Sequence, residues 1–227
     1  NRLQDLNREV LELRDRHPRL SLDNAFVAWF LRAFVTDDES TAVDALKGGS
    51  RDKGVDAIYI DHEVGVVFVI QGKYHQLTKV ASANRSDVVA LGDLGRALLV
   101  DEPGSFNALL ENADPTVKEA LEEAREALHR RGYRLSLQFV TTGKVSETHQ
   151  EEATQRVEDW PKASFDVFAR EYLLRLMQDY IEGASPPVPT VSLPIHGEQL
   201  FHRDDQNSGI SSWVFTMRGC DLGSLYN

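Results

Sequence analysis

Cysteine is almost absent from this chain: Cys220 is the only one in 227 residues. That excludes a disulfide framework and a cysteine-rich zinc site. With no signal-peptide pattern at the start, a reducing, cytoplasmic compartment is expected. Long apolar runs are missing as well. None approaches the ~20 residues that a membrane span needs, so a soluble protein with no membrane partner is expected. Positive charge is scarce: 25 Lys and Arg stand against 36 Asp and Glu, a net charge of −11. This argues against a general nucleic-acid binder, whose grip rests on neutralising phosphates. Catalytic signatures of several classes are lacking too. There is no Gly-x-Ser-x-Gly elbow, no His-Glu-x-x-His, no helix-opening Gly-x-Gly-x-x-Gly and no Walker spacing, and the seven histidines are scattered.

What the chain does hold is concentrated between Gly48 and Tyr74. Two runs rich in Val, Ile, Tyr and Phe, Val55 to Ile60 and Val66 to Ile70, flank the polar, glycine-ended segment Asp61 to Gly65, which is a hairpin signal. Both runs are apolar at nearly every position, which predicts strands covered on two faces and central in a sheet. A turn centred between His62 and Gly65 sets Asp56 opposite Gln71, with β-carbons ~5 Å apart on one face. Lys73 lies two residues further along and shares that face. A carboxylate, an amide and an ammonium thus converge at one end of an apolar hairpin. Left unpaired in a core they would be costly, so they either pair with one another or hold a ligand. The oxygens of Asp56 and Gln71 are hard donors that suit Mg²⁺ or Mn²⁺. Lys73 is placed to orient a water and to steady negative charge on a phosphate.

The order Asp56, then Gln71-x-Lys73, on a hairpin resembles the PD-(D/E)xK nuclease superfamily in the variant where Gln replaces the acidic residue. None of the other six lysines has Asp, Glu or Gln two positions before it. More narrowly, GVDAIYID followed by VFVIQGKY is similar to the N-terminal nuclease-like region of bacterial abortive-phage-resistance (AIPR-type) proteins, and LQFVTTGKVS and VFTMRGCDLGSLYN extend the likeness loosely. The resemblance implies an α/β, restriction-endonuclease-like core with a mixed central sheet flanked by helices. The activity it implies is a Mg²⁺- or Mn²⁺-dependent endonuclease hydrolysing DNA phosphodiester bonds in anti-phage defence. Asp56, Gln71 and Lys73 would be the catalytic residues. Asp56, Gln71, the Gly72 carbonyl and an acidic residue of the preceding helix would hold the metal. Asp23 is the candidate for that last ligand, with Glu9 behind it, and a plain helix cap is the competing use of Asp23. Asp52 matches a position that AIPR-like sequences often keep acidic. Two departures stand out: Val55 takes the place where Pro is common, and Gln71 removes one negative charge, which lowers the expected metal affinity and ties it to substrate phosphate. The competing expectation is an inactive nuclease-like module, with Asp56 and Lys73 ion-paired, that binds nucleic acid or a partner protein.

The overall acidity does not forbid a nucleic-acid partner. Acidic residues gather in Glu119 to Glu126 and Glu147 to Glu158, whereas Lys47, Arg51, Lys53, Lys73, Lys79 and Arg85 flank the hairpin end, a local field able to steer DNA. Lys53, Arg51, His75 and Lys144 are the expected nucleic-acid contacts. A homodimer is compatible with the sequence, and the remainder of a longer protein is a further expected partner.

Along the chain, Leu3, Leu6, Val10 and Leu13 predict a helix from Arg2 to about Arg16, ended by His17-Pro18. A second, aromatic helix follows a cap at Ser21 or Asp23, and Thr36 to Asp44 reads as an exposed acidic segment. Helices are predicted over Ser86 to Val100, Phe106 to Leu110 and Pro115 to Arg131, the last capped by Asp114. Tyr133 to Thr141 reads as a strand. Thr148 with Glu151 reads as a capping box, Ser164 to Phe168 as a short strand, and Glu171 to Ile181 as a helix. These predict a nuclease-like domain over residues 1–182 and a linker, GASPPVP, over 183–189. Residues 190–227 are then the start of a following domain, with strand signals at Thr190 to Ile195 and Trp213 to Met217.

Overall fold

The computed structural model describes residues 2–47, 54–75, 81–111, 113–181, 200–205, 210–216 and 218–219. Contacts divide the chain into two units, Asn1–Pro187 and Val188–Asn227. In the first, the stripe Leu3, Leu6, Val10 and Leu13 is the buried face of α1 (Arg2–Arg16). The Ser21 hydroxyl accepts the Asn24 N–H and caps α2 (Leu22–Leu31). Every residue of α2 from Ala25 to Leu31 is buried, so this helix is packed on all sides rather than amphipathic. It runs on into a π-helical turn, Arg32–Thr36. The acidic segment beyond, expected to be exposed, is largely so but holds a helix that the sequence reading does not single out. Asp38 caps a short helix there, α3 (Glu39–Asp44), which buries Ala42; six residues are too few for a helical period to show in the sequence.

Four strands form one mixed sheet in the order β1 (Ala57–Asp61), β2 (Val66–Lys73), β3 (Arg134–Thr141), β4 (Ala163–Phe168). β1 and β2 are antiparallel, while β2, β3 and β4 run parallel. The hairpin register is the expected one: Ala57 faces Ile70 and Asp61 faces Val66, which continues to Asp56 against Gln71. One expectation is corrected. β2 is central, but β1 is an edge strand. Its apolar character comes from cover rather than from a second neighbour: Leu46 bridges to Ala57, the Lys47 N–H donates to the Asp56 carbonyl, and the Ile58 N–H donates to the Ala45 carbonyl.

Helices cover both sheet faces. On one, Val67, Val69, Leu135, Leu137, Phe139 and Phe165 pack with α4 (Arg85–Leu99), α6 (Pro115–Arg130) and α7 (Glu147–Gln155). On the other, Ala57, Ile70 and Val140 pack with α1, α2 and α8 (Arg170–Ile181). A short α5 (Pro103–Leu110) lies between α4 and α6 in the chain. The α7 cap is Ser146, not Thr148: the Ser146 hydroxyl accepts the His149 N–H. In the second unit, β5 (Leu200–Asp205) pairs antiparallel with β6 (Ile210–Phe215). β6 overlaps the strand expected near Trp213, β5 has no counterpart in the sequence reading, and the strand expected over Thr190 to Ile195 lies outside the described residues. Among the described residues no helix is long and apolar enough to cross a membrane.

Candidate active site

Strand alternation sorts the residues of β2. Val67, Val69, Gln71 and Lys73 share the face covered by α4 and α6, while Phe68, Ile70 and Gly72 face α2. At its last turn of pleat, β2 therefore presents an amide and an ammonium to the α4 side. Asp56 is drawn in beside them from the approach to β1. Its carboxylate accepts the Gly72 N–H at 2.8 Å through Oδ2, while its own N–H donates to the Ile70 carbonyl. The Gly72 bond fixes the direction of the Asp56 carboxylate.

Gln71 is 3% exposed, and its Oε1 is buried with no hydrogen-bond partner among the described residues. Leaving such an acceptor unsatisfied would cost about 1–3 kcal/mol, which makes it a candidate ligand-binding group. Gly54 shapes the space in front of it. Its φ of 78° favours glycine, and a β-carbon there would stand 3.4 Å from Gln71 Nε2. Gly72 has the opposite neighbour: a β-carbon on it would collide with the Val27 side chain of α2. The close approach of α2 thus requires glycine between Gln71 and Lys73.

Lys73 is half-exposed and faces a carboxylate that the sequence reading does not single out. Its Nζ stands 3.7 Å from Asp87 Oδ2, too far for a direct hydrogen bond and close enough for an ion pair. Asp87 lies in the first turn of α4. Its one sequence signal is an acidic residue three positions after the cap Asn84, a site at which helices favour negative charge for their own sake.

The strands beyond are stitched together at their C-terminal ends. The Lys73 carbonyl accepts from Thr141 Oγ1 at 2.9 Å and from the Thr142 N–H at 3.3 Å. The His75 N–H donates to Thr142 Oγ1 at 2.7 Å, and that hydroxyl donates to the His75 carbonyl at 3.1 Å. His75 packs its Cδ2 beside Gly143 and has a buried Nε2 with no partner among the described residues. Lys144 is exposed, with its backbone held by Ala81 and Ala83. Asp56, Gln71, Gly72, Lys73, His75 and Lys144 thus lie around the C-terminal ends of β2 and β3.

Asp23 lies elsewhere in the contact pattern. It sits in the first turn of α2, and its charge is felt by Tyr74, whose hydroxyl donates to Asn7 Oδ1. Burial first, and Asp23 second, push the Tyr74 pKa up. Tyr74 belongs to the core on the α2 side of the sheet, and no described contact joins Asp23 to Asp56 or Gln71. Glu9 is engaged by Arg32 at 3.1 Å. Arg51, Asp52, Lys53 and Lys79 lie outside the described residues. Arg85, expected in the basic flank, pairs with Glu152 on α7 and holds that carboxyl below its usual range.

Among the described residues no three His, Cys, Asp or Glu side chains group closely enough to hold a metal. The donor set available for a cation is mixed: the Asp56 carboxylate, the Gln71 amide oxygen and a strand carbonyl. Such an oxygen set fits Mg²⁺ or Mn²⁺ with water completing the shell, and the orphaned Gln71 Oε1 is the feature of the site that asks for one. Comparisons of the chain with protein-family models, curated proteins and solved structures return no match.

Proposed function

We propose that this chain is a divalent-metal-dependent nuclease domain with a restriction-endonuclease-like core, hydrolysing DNA phosphodiester bonds in defence against phage. The observation that carries the reading is the buried, unpartnered Gln71 Oε1 on the strand that also bears Lys73, across from Asp56. The likeness of this hairpin to the AIPR-type nuclease-like region supports the substrate and the setting. Asp56, Gln71 Oε1 and the Gly72 carbonyl would hold the cation, whose chemistry here is to acidify water and neutralise phosphate charge. Lys73 orients the attacking water and offsets charge on the phosphoryl oxygens. Asp87 keeps the Lys73 ammonium at the strand end. The Gly72 N–H keeps the Asp56 carboxylate turned toward Gln71. Hydrolysis replaces one P–O ester bond by a bond to the water oxygen, and the water proton ends on the departing alkoxide.

A second reading is favoured by two contacts. Asp56 is tied to the Gly72 N–H and Lys73 is paired with Asp87, so both charges have internal partners, as in a nuclease-like module that binds without cutting. Cleavage separates the two. Supercoiled plasmid, single-stranded DNA and RNA are incubated with Mg²⁺ or Mn²⁺ and the unmutated chain, Asp56→Ala or Lys73→Ala. The nuclease reading expects cutting by the unmutated chain and its loss in both variants with normal melting. Binding of Mn²⁺ without cutting, or neither, sinks it.

A further inference from the structure

The nuclease reading leaves one surface of the first unit unused. The carbonyls of Thr142 and Gly143, at the C-terminal end of β3, are both taken by Arg170: its guanidinium donates to Thr142 at 3.3 Å and its N–H to Gly143 at 2.9 Å. This ties the start of α8 directly to the strand ends that carry Lys73, His75 and Lys144. One step further along α8, Tyr172 is 39% exposed, one of few large apolar side chains so placed. Its ring stacks on Phe168 of β4, 5.4 Å between centroids and 15° from parallel. The Arg175 guanidinium lies over the Tyr172 ring at 5.4 Å from its centroid. Beside them is an open groove of about 700 Å³ lined by Arg2, Glu171, Leu174 and Arg175.

In a chain of net charge −11, Arg2 and Arg175 line this groove with one carboxylate, Glu171, Arg170 is bonded to the two residues before Lys144, and none of these four cations enters an ion pair among the described residues. A row of unpaired cations beside an exposed, backed aromatic ring is the combination that grips an unpaired nucleic-acid strand: phosphates on the cations, a base on the ring. A duplex offers no free base face to such a ring.

We propose that the strand ends and the first turns of α8 form a track for a single nucleic-acid strand leading away from Lys73. Lys144 and Arg170 take phosphates, and one base takes the place of the Arg175 guanidinium on the Tyr172 ring, with Phe168 as the support behind and Arg175 turned onto the adjoining phosphate. This rests on the nuclease reading of the neighbouring site and adds to it the form of substrate that the domain grips. DNA and RNA strands share the chemistry of phosphate plus base face, and the test carries an arm for each.

The test is fluorescence anisotropy with labelled 12-mer single-stranded DNA and RNA, with Ca²⁺ in place of Mg²⁺, for the whole chain. Tyr172→Ala is expected to weaken binding about tenfold or more while leaving the salt dependence as it is. Arg175→Ala is expected to lower the slope of log K against log salt by about one. A 2-aminopurine base in the strand is quenched by the unmutated chain and not by Tyr172→Ala. The exposed Arg175 variant keeps the test sharp should Tyr172→Ala melt early. Unchanged affinity and slope in both variants overturn the track, as does stronger competition by duplex than by single strand. Cleavage of the same oligomers by the unmutated chain with Mg²⁺ reports on the nuclease reading separately, so either can fail alone. The arm that binds more tightly names the sugar.

Discussion

Two clusters of polar and charged side chains on this domain are built in opposite ways. On the helical side, Glu39 accepts from Arg16 at 2.9 and 2.7 Å and from Arg32 at 2.9 Å, with His17 Nε2 2.9 Å away. Arg32 also donates to Glu9 at 3.1 Å and to the Tyr180 hydroxyl at 2.6 Å. The cluster ties together α1, α3, the π-helical turn and α8, and its members answer one another. At the strand ends, Gln71 Oε1 and His75 Nε2 are buried without partners among the described residues and the Lys73–Asp87 pair stands open at 3.7 Å. A satisfied network rigidifies the fold, whereas buried polar atoms without partners cost stability that folding alone does not recover. The first cluster is a staple, and the second holds buried polar atoms that no described residue satisfies.

The sharpest way to break this contrast is to act on the second cluster. Asp56→Asn removes the charge that the site offers a cation while keeping the shape. Cleavage is expected to fall by about 10²–10³-fold, the scale for losing one electrostatic group in a site. Stabilisation by Mn²⁺, seen as a rise in melting temperature for the unmutated chain, should vanish with it. A variant that cuts normally would place the cation elsewhere.

The matching change in the staple is Glu39→Gln. Hydrogen bonds from Arg16, and then from His17 and Arg32, hold the Glu39 carboxyl at a pKa of about 2 against an ordinary 4.5. A folded-state pKa below the unfolded one means that the unfolded chain binds more protons. The contribution is therefore complete above pH ~4.5 and is lost as the pH falls toward ~2. Its upper bound is about 3 kcal/mol, and solvent screening of Arg16, 46% exposed, brings it down to about 1–2 kcal/mol. Denaturant melts of Glu39→Gln should show that loss at pH 7 and a shallower decline between pH 4.5 and 2 than the unmutated chain. Cleavage at pH 7 should not change.

Asp87→Ala tests whether the loose pair at the strand end acts in function or only in packing. Losing the partner that positions Lys73 is expected to lower cleavage about 10–100-fold, with Asp87→Glu recovering part of it and melting unaffected. A fall in stability with no fall in rate would move Asp87 into the same class as Glu39.

The hairpin was legible because its signals are local: a polar, glycine-ended turn between two β-rich runs sets the register, and the register alone sets Asp56 against Gln71. Asp87 was not legible, since its meaning depends on the phase at which α4 crosses the end of β2, and no spacing in the sequence carries that. The Glu39 network was hidden for a related reason. Its partners come from α1, the π-helical turn and α8, and α3 itself is too short to announce its buried side. β1 misled in a different way: apolar residues on both faces predict a central strand, yet here cover from the segment around Leu46 produces the same pattern at an edge. Asp23 was legible as an acidic residue at the start of α2, whereas its effect on Tyr74 depends on how α2 packs beside β2.

Gly72 connects the two regions, since α2 packs on one side of it and the site lies on the other. Gly72→Ala would push a methyl group into Val27, and overpacking of this kind costs about 1–3 kcal/mol. The N–H that aims Asp56 would shift with the strand, so cleavage should fall together with stability. A fall in only one of them would show that the strand can move without α2.

The smallest effect carries the finest test. In Gln71→Met the shape is nearly kept and the orphaned acceptor is gone. Removing a satisfied buried amide would cost about 1 kcal/mol, but replacing an unsatisfied one by an apolar group of similar shape is neutral or stabilising by about as much. Metal-free melts of Gln71→Met should therefore equal or exceed those of the unmutated chain. In Mn²⁺ the order should reverse, because binding to the folded state stabilises only the protein that can bind. Such a crossing is the signature of a residue kept for a ligand at the expense of the fold. If Gln71→Met melts lower with and without Mn²⁺, the amide is part of the packing, and the strand-end cluster is a staple like the one around Glu39.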